Sequence, residues 1–206
     1  MEETLSFEDW TGLMARLGFA PAPDVFRQLQ FAYGEAHRAY HTGAHVAACL
    51  AHLSTHQDMA KRPDEIRLAL WFHDAIYDPF AQDNERKSAD WAVRFCKENG
   101  ATDEFCARID RLIMVTEHDV LPLTEDEALL IDCDLAILGA AEDRYDWFEQ
   151  AVRKEYQKVP GLLFRRGRRK ILQGFLDRPN IFQTAYFQEA YEKRARNNLG
   201  RAIKAL

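Results

Sequence analysis

Three short stretches carry residues that could bind a metal ion or move protons. "YHTGAHV" holds His41 and His45. One helical turn separates them, so both rings can serve one site. "LALWFHDAIYDP" delivers His73 and Asp74 at the end of a segment too apolar to face water. "DCDLAILG" offers Asp132 and Asp134. On a helical wheel Asp134 falls between Leu130 and Leu138, one turn from each, while Asp132 points to the other side. A carboxylate on a core-facing stripe is costly without a cation or several donors. Asp134 therefore calls for a metal, a buried arginine or a capping role.

A His-Asp dipeptide alone arises often by chance. Neighbours on a helix diverge by about 100°, yet both can reach one ion near a helix end, and Asp78-Pro79 announces such an end. Combined, the stretches give a His, His–Asp, Asp set on three helices. Two imidazoles and two carboxylates suit Mn²⁺, Fe²⁺, Co²⁺, Ni²⁺ or Mg²⁺, with Zn²⁺ also compatible; an octahedral ion keeps two positions for water or substrate oxygens. A closed cysteine-rich structural zinc site is not offered. His52 lies about 10 Å further along the helix axis, too far to share the ion, and reads with His56 as a boundary histidine.

The elements that must position these residues are helices. Expected spans are Asp24 to Tyr33, Gly43 to His56, Asp64 to Ile76, a helix in "NERKSADWAVRFCKENG" ending at Gly100, one in "TDEFCARIDRLIMVTEHD", and one opened by the capping-box pair Thr124 and Glu127 and stopped at Gly139. Later helices are expected over Asp143 to Lys158, Arg168 to Leu176 and Thr184 to Ala205. Strand alternation is missing, so the fold class is all-α. A single domain over residues 1–206 is expected, with a motif core at about 38–140 and helices 143–205 packing on it.

The chain has 206 residues, 47% of them apolar, and a formal charge of −6. That balance gives no general attraction to nucleic acid or an anionic membrane. No apolar run approaches the roughly 20 residues of a membrane span. The acidic N-terminus lacks a signal-peptide pattern. Cys49, Cys96, Cys106 and Cys133 are scattered, as expected of free thiols in the cytoplasm.

In order and context, "YHTGAHV", "FHDAIYDP", "DNERKSA", "VTEHD" and "DCDLAILG", followed by "GRRKILQGFLDRPNIFQTAYF" and "EKRARNNL", resemble the HD-domain superfamily of metal-dependent phosphohydrolases. The likeness is greatest to its small, uncharacterised "predicted HD phosphohydrolase" group. It covers about Arg38 to Leu199. The resemblance implies a helical bundle holding one or two divalent metal ions, with His45, His73, Asp74 and Asp134 as ligands. "YHTGAH" is similar to the YHNxxH pattern of cyclic-nucleotide phosphodiesterases, which makes His41 a proton donor and His45 a ligand. Thr42 replaces the Asn of that pattern, so either histidine remains open as the first ligand. His118 resembles the extra histidine of binuclear members. Asp78, Asn84 and Glu85 stand as second-layer or substrate groups, or as plain loop and capping residues.

The activity implied is hydrolysis of a phosphomonoester or phosphodiester, of a small nucleotide-like molecule. A divalent ion acidifies water and neutralises phosphoryl oxygens. Asp74 orients the nucleophile, and His41 protonates the leaving oxygen. "RRGRRK" is the one dense positive cluster, and Arg168 within it is the expected phosphate contact. The alternative is a non-catalytic metal- or nucleotide-binding module of the same fold. A nucleic-acid-binding role would use "RRGRRK", but no broad basic face accompanies it. Assembly into a homo-oligomer stays open.

Overall fold

The computed structural model describes residues 5–118 and 120–206. It is all-helical, with no strand among the described residues. Two compact units divide it, Met1–Cys133 and Asp134–Leu206.

The first unit contains α1 (Phe7–Leu17), α2 (Pro23–Tyr33), α3 (Gly43–Thr55), α4 (Pro63–Phe72), α5 (Asn84–Glu98) and α6 (Asp103–Met114). It also holds most of α7 (Glu125–Leu135). Local chemistry sets their ends. Ser6 accepts from the Asp9 amide to start α1, and Gly18 ends it in the left-handed region at φ 71°. Gly100, at φ 78°, closes α5 while the Ala101 amide reaches back to the Cys96 carbonyl at 3.0 Å. Thr102 caps α6 through the Phe105 amide. Helix α1 lies outside the elements expected from the sequence.

Thr124 and Glu127 act at the start of α7, as their spacing predicts. The Glu127 amide donates to the Thr124 hydroxyl at 3.2 Å. The Glu127 carboxylate accepts from the Leu123 amide at 2.7 Å and from Arg111 at 3.0 and 3.3 Å. Glu127 itself is buried. We expect Glu127→Ala to cost about 1–2 kcal/mol, chiefly through the amide it leaves without its acceptor. The urea midpoint measures this, and an unchanged midpoint would show that water replaces the carboxylate at no cost.

Helix α4 is the centre of this unit. Ile66, Leu68, Ala69, Leu70, Trp71 and Phe72 are all buried, because α1, α3, α5 and α6 each pack on it. A helix apolar on every side is stable only when enclosed. Its aromatic end is built from close ring pairs: Trp10–Trp71 at 5.3 Å, Trp10–Phe95 at 5.7 Å and Phe72–Phe95 at 5.6 Å. The Trp10 indole donates to the Pro21 carbonyl, so its polar edge is also satisfied.

Helix α4 ends at Phe72 rather than at the expected Ile76. The groups that would have continued it bond elsewhere. Arg38 takes the carbonyls of Asp74 and Ala75, and the Ile76 amide donates to the buried Ser88 hydroxyl at 3.0 Å.

The second unit contains a short 3₁₀ turn, Ala136–Gly139, then α8 (Glu142–Glu155), α9 (Gly161–Leu176) and α10 (Ala185–Ala205). Gly139 is required where it stands, since a Cβ there would lie 2.7 Å from the Tyr191 Cβ. Asn198 fastens α10 to the same turn through the Leu138 and Ala140 carbonyls. Helix α9 begins at Gly161, earlier than the expected Arg168. Gly167 does not break it, and nothing lies within 4 Å of where its Cβ would be. No helix among the described residues is long and apolar enough to cross a membrane.

Candidate metal centre

His45 enters from the first turn of α3, where its amide bonds to the Thr42 carbonyl. His73 is the residue that ends α4, its amide still held by the Ala69 carbonyl at 2.8 Å. Asp74 follows in the turn. Both imidazoles are buried, His73 to 1% exposure. The Asp74 side chain is 17% exposed, so the cluster opens on the carboxylate side.

Three donor atoms converge. His45 Nε2 and His73 Nε2 are 3.3 Å apart. Asp74 Oδ2 lies 3.5 Å from His45 Nε2 and 3.1 Å from His73 Nε2. The circle through these atoms has a radius of about 1.9 Å, inside the roughly 2.0–2.1 Å reach of metal–imidazole and metal–carboxylate bonds. All three atoms therefore lie within bonding reach of one ion. The donor set fits a borderline divalent cation.

The surroundings prepare the donors. His73 Nδ1 donates to the Leu70 carbonyl at 2.9 Å, which fixes the proton on Nδ1 and leaves the Nε2 lone pair facing inward. The His45 ring lies against Tyr40, with centroids 4.7 Å apart, and Cys49 Sγ approaches both ring nitrogens at 3.7 and 3.8 Å. A sulfur nearly equidistant from both packs beside the ring rather than in line with one nitrogen. Burial alone would push the Asp74 carboxyl up. With the imidazoles protonated, the charge of His73 and its hydrogen bond, then His41 and His45, outweigh that and hold Asp74 well below the usual carboxylate range. The anion is the form a cation needs.

The structure brings some other expected residues to this place and employs others elsewhere. His41 joins the cluster at its edge. Its half-buried ring stacks on Tyr77 at 4.3 Å and 28°, and its charge acts on Asp74. Glu85, at the start of α5, is drawn up by burial and by the charges of Asp74 and Glu117, against the pull of its own backbone amide and of His118. Those couplings put Asp74, Glu117 and His118 in the electrostatic surroundings of Glu85. His118 adopts the left-handed region at φ 59°, a conformation uncommon for a residue with a side chain.

Asp78 and Asn84 close a loop on each other. Asn84 accepts from the Asp78 amide at 3.1 Å and donates to its carbonyl at 2.9 Å, while Asp78 takes the Phe80 amide. This is turn and capping chemistry. Arg168 is committed to Glu149, which accepts both arms of its fork at 3.0 and 2.7 Å. That ion pair lies inside the second unit. Asp134 is half-buried in the last turn of α7, whereas Asp132 is fully enclosed at 0% exposure. The helical wheel, which turned only Asp134 inward, fails because Leu129, Leu130, Ile131, Cys133 and Leu135 are buried around the whole helix and leave no outer face. His52 and His56 are half-buried, as boundary histidines should be, and burial lowers the pKa of His56.

Sequence reasoning missed Arg38, Tyr40, Tyr77 and Ser88. All four sit within a few residues of a ligand in sequence or bond to the turn that carries one. An open groove of about 690 Å³ runs past Phe31, Ile76, Tyr77 and Trp91. It shares Tyr77 with the cluster, but none of the three donor residues lines it.

Comparison of the chain with protein-family models, curated proteins and solved structures returns no match.

Proposed function

We propose that the protein is a divalent-metal-dependent hydrolase of phosphate esters, of the HD type that its sequence motifs resemble. The observation that carries this reading is the triangle of His45, His73 and Asp74 donors, small enough to close on one ion. Such an ion, when bound, supplies Lewis acidity toward phosphoryl oxygens and lowers the pKa of water. The remaining work falls to the chain. His73 and His45 would offer their Nε2 atoms and Asp74 its Oδ2 to the ion. The stacked His41 ring stands at the cluster's edge, where an imidazole can give a proton to a leaving oxygen. Glu85 retains a proton to higher pH than an ordinary glutamate, which suits a group that hands protons on beside Asp74. The sequence resemblance adds Asp134 as a fourth ligand, and a small nucleotide-like ester as substrate.

The deciding experiment loads the purified protein with Mn²⁺, Co²⁺, Ni²⁺, Fe²⁺, Mg²⁺ or Zn²⁺ and screens nucleotides and simple phosphate esters. Metal-dependent release of phosphate or nucleotide is the expected result. Stoichiometric metal without turnover of any ester would instead support a non-catalytic metal- or nucleotide-binding module. Within the same preparations, Asp134→Asn should lower the metal content and Asp132→Asn should not. A reversed pair would make Asp132 the ligand.

A further inference from the structure

Arg38 is the buried cation nearest the candidate centre, and it is not one of the donors. Its side chain has no solvent exposure. Four of its donor contacts are accounted for. Nε bonds to Glu35 Oε2 at 3.1 Å, Nη1 to the carbonyls of His41 at 3.0 Å and Asp74 at 2.7 Å, and Nη2 to the Ala75 carbonyl at 3.0 Å. The guanidinium also lies over Tyr33 and Tyr77, 5.3 and 5.4 Å from their ring centroids. A charge withdrawn from water at this cost needs such partners.

The choice of partners is informative. Three of the four are main-chain carbonyls, two of them on residues whose side chains form the cluster's open side. His41 and Asp74 belong to separate segments, the approach to α3 and the turn after α4. Neither segment is regular there, so no helical ladder fixes it. One planar group bonds to both and is itself packed on Tyr77, whose ring also stacks against His41.

We propose that Arg38 is a positioning residue for the metal centre: it ties the backbone of His41 to that of Asp74, so that the Asp74 carboxylate meets the two imidazoles in one place. This rests on the metal-centre reading above. The planar fork is essential to it. A lysine ammonium is a compact point charge that can reach one carbonyl cluster but cannot span all three positions.

The test compares wild type, Arg38→Lys, Arg38→Gln and His73→Ala by titration with Co²⁺, read both as binding heat and as the visible spectrum of the bound ion. Arg38→Lys is the deciding variant because it keeps the buried charge. It is expected to fold, to bind Co²⁺ about 10–100-fold more weakly, and to shift or broaden the spectrum, as changes behind metal ligands do. Arg38→Gln should lose at least as much affinity. A role in stability alone would lower the thermal midpoint while leaving affinity and spectrum as in wild type. That outcome for Arg38→Lys overturns the proposal, even with the metal centre intact. A wild-type protein that binds no Co²⁺, indistinguishable from His73→Ala, would remove the metal-centre reading itself.

Discussion

Alanine at His73 or at Asp74 is expected to strip the protein of bound metal and of any metal-dependent turnover, with the helical content unchanged. Each residue supplies one of three converging donors, and a site that loses one of them holds an ion less strongly against water. Loss of metal to below a tenth of the wild-type content, measured by elemental analysis after dialysis, is the predicted scale. The same dialysis run at falling pH should show how the site empties. Asp74 keeps its charge far into the acid range, so the competing proton must go to an imidazole. Ligating histidines must be neutral, so protons compete with the ion for their nitrogens and metal affinity falls as the pH drops. Retention of metal down to pH 4 would argue that the two histidines are not the ligands.

Trp71→Ala should act in the opposite manner, with a large loss of stability from a residue that touches no ligand atom. Trp71 is 1% exposed and packs on Trp10 and Phe26, and its carbonyl accepts from the buried Tyr33 hydroxyl at 3.0 Å. Truncating a large buried aromatic costs about 3–5 kcal/mol, since the surrounding side chains collapse only partly into the space. Against a total stability of roughly 5–15 kcal/mol, that is a substantial share. The thermal midpoint should fall by about 6–20 °C, at roughly 2–4 °C per kcal/mol for a chain of this size. A loss under about 1 kcal/mol would mean that α4 is not the packing centre of its unit. Together the two experiments separate the helix as support from the candidate donors that follow it.

Much of this was readable in the residues. Helix ends marked by Gly100 and by the Thr124–Glu127 pair have local causes, and local causes are written locally; α4 stops short of the end that Asp78-Pro79 announced because Arg38 and Ser88 take the groups that would have continued it. The run Leu68 to Phe72 announced an enclosed helix because no single face could hold five large apolar groups. His73 and Asp74 stood out because their side-chain types are costly in such surroundings, whereas His45 was set apart from His41 only by the family resemblance. Reading α7 by the same wheel failed at Asp132, since a wheel assumes a solvent side and this helix has none. Arg38 escaped notice for a different reason. Its chief partners are carbonyls, one of them 36 residues away on Asp74, and every residue has a carbonyl. Side-chain spacing cannot encode a contact whose receiving end is common to all twenty residue types. Cys49 is an intermediate case: its i+4 spacing from His45 was visible, but an apolar thiol on an apolar face gave no reason to look.

The bond from His73 Nδ1 to the Leu70 carbonyl has one more effect, on entropy. A free imidazole side chain samples several rotamers and two tautomers, and freezing a side chain on ligand binding costs about 0.5–1.5 kcal/mol. At His73 that ordering is complete once α4 has folded, because the ring is buried and its proton is already assigned. An arriving ion meets a donor that has no freedom left to lose. By that amount alone its affinity is higher, by a factor of about two to ten, than for the same ring on a flexible loop.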